Sequence, residues 1–242
     1  MLTLENIVWQ LPDGEKILNG VNLTVSGGRM TVVTGPNGGG KTSLAKIIAG
    51  LEKPTSGRLL LDGEDIVGLD VTQRAKLGIG YAFQQPVRFK GLTVRDLLEL
   101  ASGNELGEER LCHLLGQVGL CAREYADREI SASLSGGEIK RVEIASVLAR
   151  GARISIFDEP EAGIDLWSFT GLIEVFQEMK SRLTGALLII SHQERILEIA
   201  DDIVVVADGA VRQAGPREDV LPALLAGEKA GRCPLGKGDA LV

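Results

Sequence analysis

Two kinds of hydrophobic pattern alternate along this chain. Residues 2–9 and 17–25 have the composition of strands, and a Pro-Asp-Gly turn at 12–14 separates them. Several short runs are almost wholly apolar, which is typical of buried strands. These runs occupy 29–35, 153–159, 186–190 and 203–207.

Other stretches carry apolar residues at helical spacing. They include 42–51, 168–183 and most of the region from about 86 to 150. This order predicts an α/β core with a helical segment inserted at about 86–150. The final stretch, 226–242, is rich in glycine and lysine, and we expect it to be loosely held.

Length and composition narrow the class of protein. The 242 residues suit one large domain, and 44% of them are hydrophobic, enough for a buried core. A net charge of −7 disfavours nucleic acid as a partner. The apolar runs are too short to span a bilayer, and no secretion signal opens the sequence. We therefore expect a cytoplasmic protein that does not itself insert into a membrane.

The three cysteines are scattered, which indicates a reducing compartment rather than a disulfide framework. Their spacing is not that of metal ligands. We expect Cys112 and Cys121 to pack within the helical segment. Cys233 lies in the tail, where it is either an incidental thiol or an exposed functional one.

The clearest chemical motif is Gly-Pro-Asn-Gly-Gly-Gly-Lys-Thr at 35–42. It fits the phosphate-binding P-loop pattern, directly after a predicted strand and before a predicted helix. Its glycines let backbone amides surround phosphates, Lys41 adds a positive charge, and Thr42 offers a hydroxyl to Mg²⁺. The alternative is a glycine-rich turn that merely caps a helix. The candidate phosphate-binding residues are Gly35, Pro36, Asn37, Gly38, Gly39, Gly40, Lys41, Thr42 and Ser43.

Two carboxylates follow the apolar run at 153–157. Open α/β sheets bind their ligands at such strand ends. Asp158 is therefore a candidate for the Mg²⁺ shell, and Glu159 for polarising the water that attacks a γ-phosphate. By itself, an Asp-Glu pair after a strand would be a solvated turn.

A second anion-binding pattern lies in Leu-Ser-Gly-Gly-Glu at 134–138. Ser135 is a plausible N-cap of a following helix, and the free N–H groups at a helix start attract anions. We take Ser135, Gly136, Gly137 and Glu138 as candidate ligands of a second phosphate group.

Taken together, these motifs resemble the ATP-binding-cassette (ABC) ATPases over about residues 2–225. The resemblance implies one domain, 1–242, with a RecA-like P-loop NTPase core, an antiparallel β-subdomain and an inserted helical subdomain. It implies an enzyme that hydrolyses ATP with Mg²⁺. It also implies an ATP-dependent dimer, in which 134–138 of one copy cap the γ-phosphate held by the P-loop of the other.

The resemblance adds three site residues. Gln84 stands at the family's Q-loop position, where it would contact Mg²⁺ and the attacking water; Gln85 is the neighbouring candidate. Asp165 stands in the D-loop, at the dimer interface. His192 stands at the switch position and would contact the γ-phosphate, although an isolated histidine is more often structural.

Adenine recognition is left open by the sequence. Many cassettes stack adenine on an aromatic side chain where this chain has Leu11. Trp9 lies two residues earlier and either replaces that aromatic or belongs to the core. We expect Tyr81 to be a core residue.

Within the family, stretches 82–94 and 135–144 resemble SufC, the ATPase of Suf-type iron–sulfur cluster assembly. Glu161 and Ala162 depart from the SufC pattern. This resemblance implies that the dimer moves a SufB- or SufD-like scaffold protein. The alternative is the ATP-binding subunit of a membrane transporter, docked on a permease. In either case the surface that binds the partner, and so distinguishes a scaffold from a permease, would be 84–93, with Val87, Arg88, Phe89 and Lys90. DNA-repair and translation cassettes fit poorly, because this chain lacks their long inserts and tandem cassettes.

Overall fold

The computed structural model describes residues 1–84, 89–130 and 134–231; for 166–168 and 227–231 it describes the backbone alone. The elements follow one another in this order: β1 (Leu2–Gln10), β2 (Lys16–Val25), β3 (Met30–Thr34), α1 (Lys41–Ala49), β4 (Ser56–Leu61), β5 (Glu64–Asp65), α2 (Val71–Lys76), β6 (Ile79–Ala82), α3 (Val94–Ser102), α4 (Glu108–Gln117), α5 (Ala122–Tyr125), α6 (Gly136–Arg150), β7 (Ile154–Asp158), α7 (Leu166–Ser181), β8 (Ala186–Ile190), α8 (Glu194–Ile199), β9 (Asp202–Ala207), β10 (Ala210–Pro216) and α9 (Arg217–Gly231).

A six-stranded sheet forms the centre, in the order β10-β9-β3-β8-β7-β6. The five strands from β9 to β6 are parallel, and β10 is antiparallel to β9. Every residue of β3, β7 and β8 is buried, as their apolar runs predict. Because parallel strands end at the same edge, the loops after these three strands come together.

A second sheet, antiparallel and in the order β2-β1-β4-β5, lies over one face of the central sheet. Helix α1 contributes Leu44, Ile47 and Ile48 to the core between the two sheets. The other face of the central sheet is covered by helices, among them α3, α4 and α6 to α9. The α/β class expected from the sequence is therefore confirmed.

Helices α3 to α6 form one segment between β6 and β7, two strands that are neighbours in the central sheet. Both the long α6 and the shorter α3 pack their apolar faces into the same core as the sheet. The segment is thus attached to the central sheet at both of its ends, through β6 and through β7. No helix in the described part of the chain is long and apolar enough to cross a membrane.

The structure corrects the expectation for two cysteines. Cys112 and Cys121 are exposed, not packed within the helical segment. On α4 the buried positions are Leu111, Leu114 and Leu115, so Cys112 lies on the solvent side of that helix. In addition, α9 continues to Gly231, so the expected loose tail begins within a helix; Cys233 lies outside the described residues.

One buried cation supports the helix that carries the phosphate loop. Arg74 is only 1% exposed. Its guanidinium donates to the carbonyls of Ile47 and Ile48 at the end of α1, and the bond to Ile48 is 3.1 Å long. It also donates to the carbonyls of Leu69 (3.0 Å) and Val67 (3.1 Å). A cation is favourable at the carboxyl end of a helix, where carbonyls lack helical partners.

We expect Arg74→Met to lower the free energy of unfolding by about 2–4 kcal/mol, because several buried carbonyls lose a charged donor. Urea unfolding followed by circular dichroism measures this change. Arg58→Met is the control, since the Arg58–Glu5 ion pair is largely exposed and should contribute less than about 1 kcal/mol. Equal losses in both variants would contradict the role given to Arg74.

Candidate active site

The loop between β3 and α1 packs its backbone tightly against β9. A Cβ atom added to Gly35 would lie 2.1 Å from the carbonyl oxygen of Val206, and one added to Gly39 would lie 2.7 Å from it. Gly35 also has a φ of 134°, which only glycine adopts easily. The glycines are therefore required for the loop to curl, and the curled amides form a site suited to phosphate.

Lys41 closes over this loop. Its side chain is nearly buried, and its Nζ donates to the carbonyls of Gly35 and Pro36, both at 2.9 Å. These bonds hold the ammonium group at the mouth of the loop. A cavity of about 280 Å³ opens beside it, lined by Ile17, 37–43 and Glu159. The predicted phosphate loop and the predicted base therefore share one cavity.

Asp158 ends β7 with both of its oxygens held. Thr42 Oγ1 donates to Asp158 Oδ1 at 3.1 Å, and the Tyr81 hydroxyl donates to Oδ2 at 2.8 Å. A hydroxyl beside a carboxylate is the oxygen donor set that Mg²⁺ takes. In the described ranges, no three His, Cys, Asp or Glu side chains gather into a metal site. A Mg²⁺ ion on Thr42 and Asp158 would therefore take its other ligands from phosphate and water.

Tyr81 is more than the core residue that the sequence suggests. Its ring is only partly buried and meets Phe83 edge to face, with 4.9 Å between ring centroids. Burial, together with the neighbouring Asp158, raises the pKa of the Tyr81 hydroxyl well above its usual range. The hydroxyl therefore stays protonated and orients Asp158 as a donor.

Glu159 has an unusual backbone conformation. Its φ of 44° lies in the left-handed region, which costs energy for a residue other than glycine and is often found at functional sites. Its N–H donates to the Ile190 carbonyl at 3.0 Å, which fixes it against the end of β8. Its carboxylate accepts a hydrogen bond from Gln84 Nε2. Gln84 thus contacts the candidate base rather than Thr42 or Asp158; Gln85 lies outside the described residues.

His192 follows β8 and is exposed. Together with Gly35 and Pro36 it lines a neighbouring cavity of about 290 Å³. The residue before it is held firmly, since Ser191 Oγ donates to Glu161 Oε1 at 2.5 Å and accepts from the Gln193 N–H at 3.0 Å. Glu161, which departs from the SufC pattern, therefore supports the loop that carries His192.

The start of α6 presents two amide groups. In a capping box, Ser135 Oγ accepts from the Glu138 N–H, and the Glu138 carboxylate accepts from the Ser135 N–H. Four N–H groups at a helix start lack helical partners. The capping box binds those of Ser135 and Glu138, so those of Gly136 and Gly137 are left to bind a ligand. Glu138 also accepts from the Tyr125 hydroxyl, which, with the Ser135 N–H, lowers the pKa of Glu138. Glu138 thus shapes the helix start.

The predicted D-loop lies near this helix start in the same chain. A Cβ atom added to Gly136 would lie 3.5 Å from the Gly163 carbonyl oxygen. Asp165 is exposed at the entry to α7, where its carbonyl accepts from the Phe169 N–H at 2.9 Å. Trp9 is partly buried and packs against the core between the two sheets, which supports the core alternative for this residue.

The site region also contains two polar residues that the sequence motifs do not indicate, Lys140 and Glu143. They are bonded to Phe83, the residue before Gln84. The sequence signal was their spacing of three on a predicted helix, which places a cation and an anion on one face.

Comparison with known proteins gives consistent matches. The sequence model of a family described as "ABC transporter" matches residues 18–162. An uncharacterized ABC transporter ATP-binding protein of Methanocaldococcus jannaschii is 38% identical over 213 residues, 85% of each chain. A probable ATP-dependent transporter of Cyanophora paradoxa is 30% identical over 90% of this chain and 89% of its own.

Solved structures agree with these sequence matches. The dimeric structure of an ABC transporter cassette, MJ0796, has a TM-score of 0.80 at 27% identity and covers 90% of this chain and 99% of its own. A dimeric post-hydrolysis state of the same cassette, bound to ADP and Pi, has a TM-score of 0.77 at the same identity and coverage.

Tyr81→Phe should raise the Mg²⁺ concentration needed for half-maximal nucleotide turnover by about tenfold, because Asp158 loses the donor that orients it. Nucleotide binding measured in EDTA should not change. The control is Tyr125→Phe, which removes a similar hydroxyl from Glu138 and should leave the Mg²⁺ dependence unchanged. An unchanged Mg²⁺ dependence in Tyr81→Phe would show that Thr42 alone orients Asp158.

Proposed function

This chain belongs to the ABC transporter family of ATP-binding cassettes, and from that premise we propose that two copies close head to tail on ATP and use its hydrolysis to move an attached partner protein. Family membership confirms the ATPase activity and the ATP cofactor expected from the sequence.

The phosphate loop and the neighbouring strand ends have separate roles in hydrolysis. Loop 37–43 holds the phosphates through its amides and Lys41, while Thr42 and Asp158 would hold Mg²⁺, which neutralises phosphate charge. Glu159 accepts a proton from the attacking water as the water oxygen bonds to the γ-phosphorus and the bond from that phosphorus to the ADP oxygen breaks, which gives ADP and phosphate. His192, at the end of β8, contacts the γ-phosphate.

The helix start at 135–137 carries the proposal of a dimer. Its capping box leaves the Gly136 and Gly137 amides for an anion, and Ser135 and Gly136 are exposed. The phosphate loop of the same chain already faces a different cavity. The phosphate that these amides bind therefore belongs to a second copy. The dimeric state of the similar cassette supports this arrangement.

A partner surface lies beside Gln84. Phe83 and Phe89 are 40% and 38% exposed and lie side by side, and an apolar patch marks an interaction site better than a single exposed side chain does. Together with Leu97, Ile139 and Val142 they line a mainly apolar cavity of about 140 Å³. We define this surface as the Phe83–Phe89 groove. Since it adjoins the residue that contacts Glu159, an inserted side chain of a partner would act close to the base.

Two partner classes are supported by different observations. The relatives' names favour a membrane permease, which makes the chain the ATP-binding subunit of a transporter. The SufC-like stretches 82–94 and 135–144 favour a SufB- or SufD-like scaffold for iron–sulfur cluster assembly. In both cases the same ATPase site and the same groove would serve.

Glu159→Gln should keep ATP binding, trap an ATP-bound dimer and slow hydrolysis by about 10²–10³-fold, because the proton acceptor is lost. Size-exclusion chromatography with ATP and a phosphate-release assay measure both effects. Lys41→Ala is the comparison variant, which should lose nucleotide affinity and so form no dimer. Hydrolysis near the wild-type rate in Glu159→Gln would show that another group accepts the proton.

The partner can be identified by photo-crosslinking in native cells lysed without air. A photoreactive residue at Phe89 should give a crosslinked product, whereas one at Leu100, which is 67% exposed on α3, should not. A polytopic membrane protein on Phe89 supports the transporter candidate. A soluble protein that carries iron and sulfide supports the scaffold candidate. Equal products at both positions would overturn the groove assignment.

A further inference from the structure

Two side chains of α6 hold the backbone of Phe83 from both sides. The Phe83 N–H donates to Glu143 Oε1 at 2.8 Å, and Lys140 Nζ donates to the Phe83 carbonyl. Lys140 Nζ also pairs with Glu143 Oε2 at 3.1 Å. The three residues form a closed ring, which we call the Phe83 clamp.

The clamp is built from two charged side chains that are buried. The side chain of Lys140 is 2% exposed and that of Glu143 is 15% exposed. Burial raises the pKa of Glu143, and Lys140 opposes that rise. Burying such a pair costs energy that apolar residues would not, so its benefit must lie in the geometry that it fixes.

The clamp connects two parts of the proposed machinery. On one side, Lys140 and Glu143 belong to the single helix that begins at Gly136 with its phosphate-binding amides. On the other side, Phe83 directly precedes Gln84, whose amide donates to Glu159. A path of direct contacts therefore runs from the helix start, through the clamp, to the candidate base.

We propose that Lys140 and Glu143 are positioning residues for hydrolysis, which carry a displacement of α6 to Gln84 and Glu159. This inference rests on the proposed function, because the displacement arises when the helix start binds the γ-phosphate held by a second copy. A helix moves as a rigid body, so both of its side chains pull Phe83 together. Gln84, the next residue along the chain, therefore moves when the helix start binds the phosphate held by the second copy.

The test separates the clamp's effect on rate from its effect on stability. Lys140→Met and Glu143→Ala each leave a buried charge unpaired, so each should lower the midpoint of urea unfolding. The double variant removes both charges and should regain much of that midpoint. Its kcat should nonetheless stay about tenfold below wild type, with KM for ATP within about twofold, because Phe83 is no longer held.

The chain contains a matched control pair. Lys180 Nζ donates to the Ile199 carbonyl at 2.8 Å and pairs with Asp201 at 2.7 Å, while Asp201 accepts from the Met30 N–H at 2.9 Å. This arrangement also joins a cation and an anion to one carbonyl and one N–H, but these belong to two residues and the side chains are 31% and 26% exposed. It lies at the opposite end of β3 from the phosphate loop. Lys180→Met with Asp201→Ala should reduce stability and leave kcat within about twofold of wild type.

The outcomes are distinct. If the double variant regains kcat together with stability, the clamp has only a structural role and the inference is wrong. If a single variant fails to fold, the double variant and the mild Glu143→Gln, which keeps an oxygen for the Phe83 N–H, decide the question by their kcat. Failure of the proposed function appears separately, as a wild-type protein that does not hydrolyse ATP or a Glu159→Gln variant that hydrolyses it normally.

Discussion

The register of three neighbouring parallel strands determines where the chemistry lies. Val33 on β3 pairs with Ile190 on β8, and Ile190 pairs with Asp158 on β7. All three strands are buried on every residue, so a one-residue slip of any of them would exchange its side chains between two packed faces and move its end out of line with its neighbours. This register therefore places the phosphate loop, the two carboxylates and the His192 loop side by side at one edge of the sheet.

The strand ends explain why much of the site could be predicted. An apolar run that stops at a glycine loop or at two carboxylates marks a buried strand and its functional edge in the same few residues. Glu159 and Lys41 therefore share a cavity, as their motifs indicate. Tyr81 illustrates the opposite case: its side chain resembles a core residue in sequence, and its bond to Asp158 depends on the pairing of β6 with β7.

The positions of Cys112 and Glu138 depended on local details that composition does not show. Cys112 belongs to a helical segment rich in leucine, yet the buried face of α4 passes beside it. Glu138 looks like a ligand within a phosphate-binding motif, but a carboxylate three residues after a capping serine turns back onto the helix start. Cys112 depends on the rotation of its side chain around α4, whereas Glu138 depends on where α6 begins, which the spacing of Ser135 and Glu138 already indicates.

The Phe83 clamp shows what sequence periodicity cannot supply, which is a contact between residues about sixty positions apart. Two apolar residues at 140 and 143 would pack well on α6, but they could bind neither the N–H nor the carbonyl of Phe83. One cation and one anion satisfy both backbone groups and each other, so they fix the direction of the chain as it enters Gln84. A packed apolar contact would tolerate sliding, whereas hydrogen bonds to both backbone groups of one residue do not. The cost of burying the two charges is thus matched to a requirement for a fixed chain direction, which sets where the Gln84 side chain meets the carboxylate of Glu159, the candidate base.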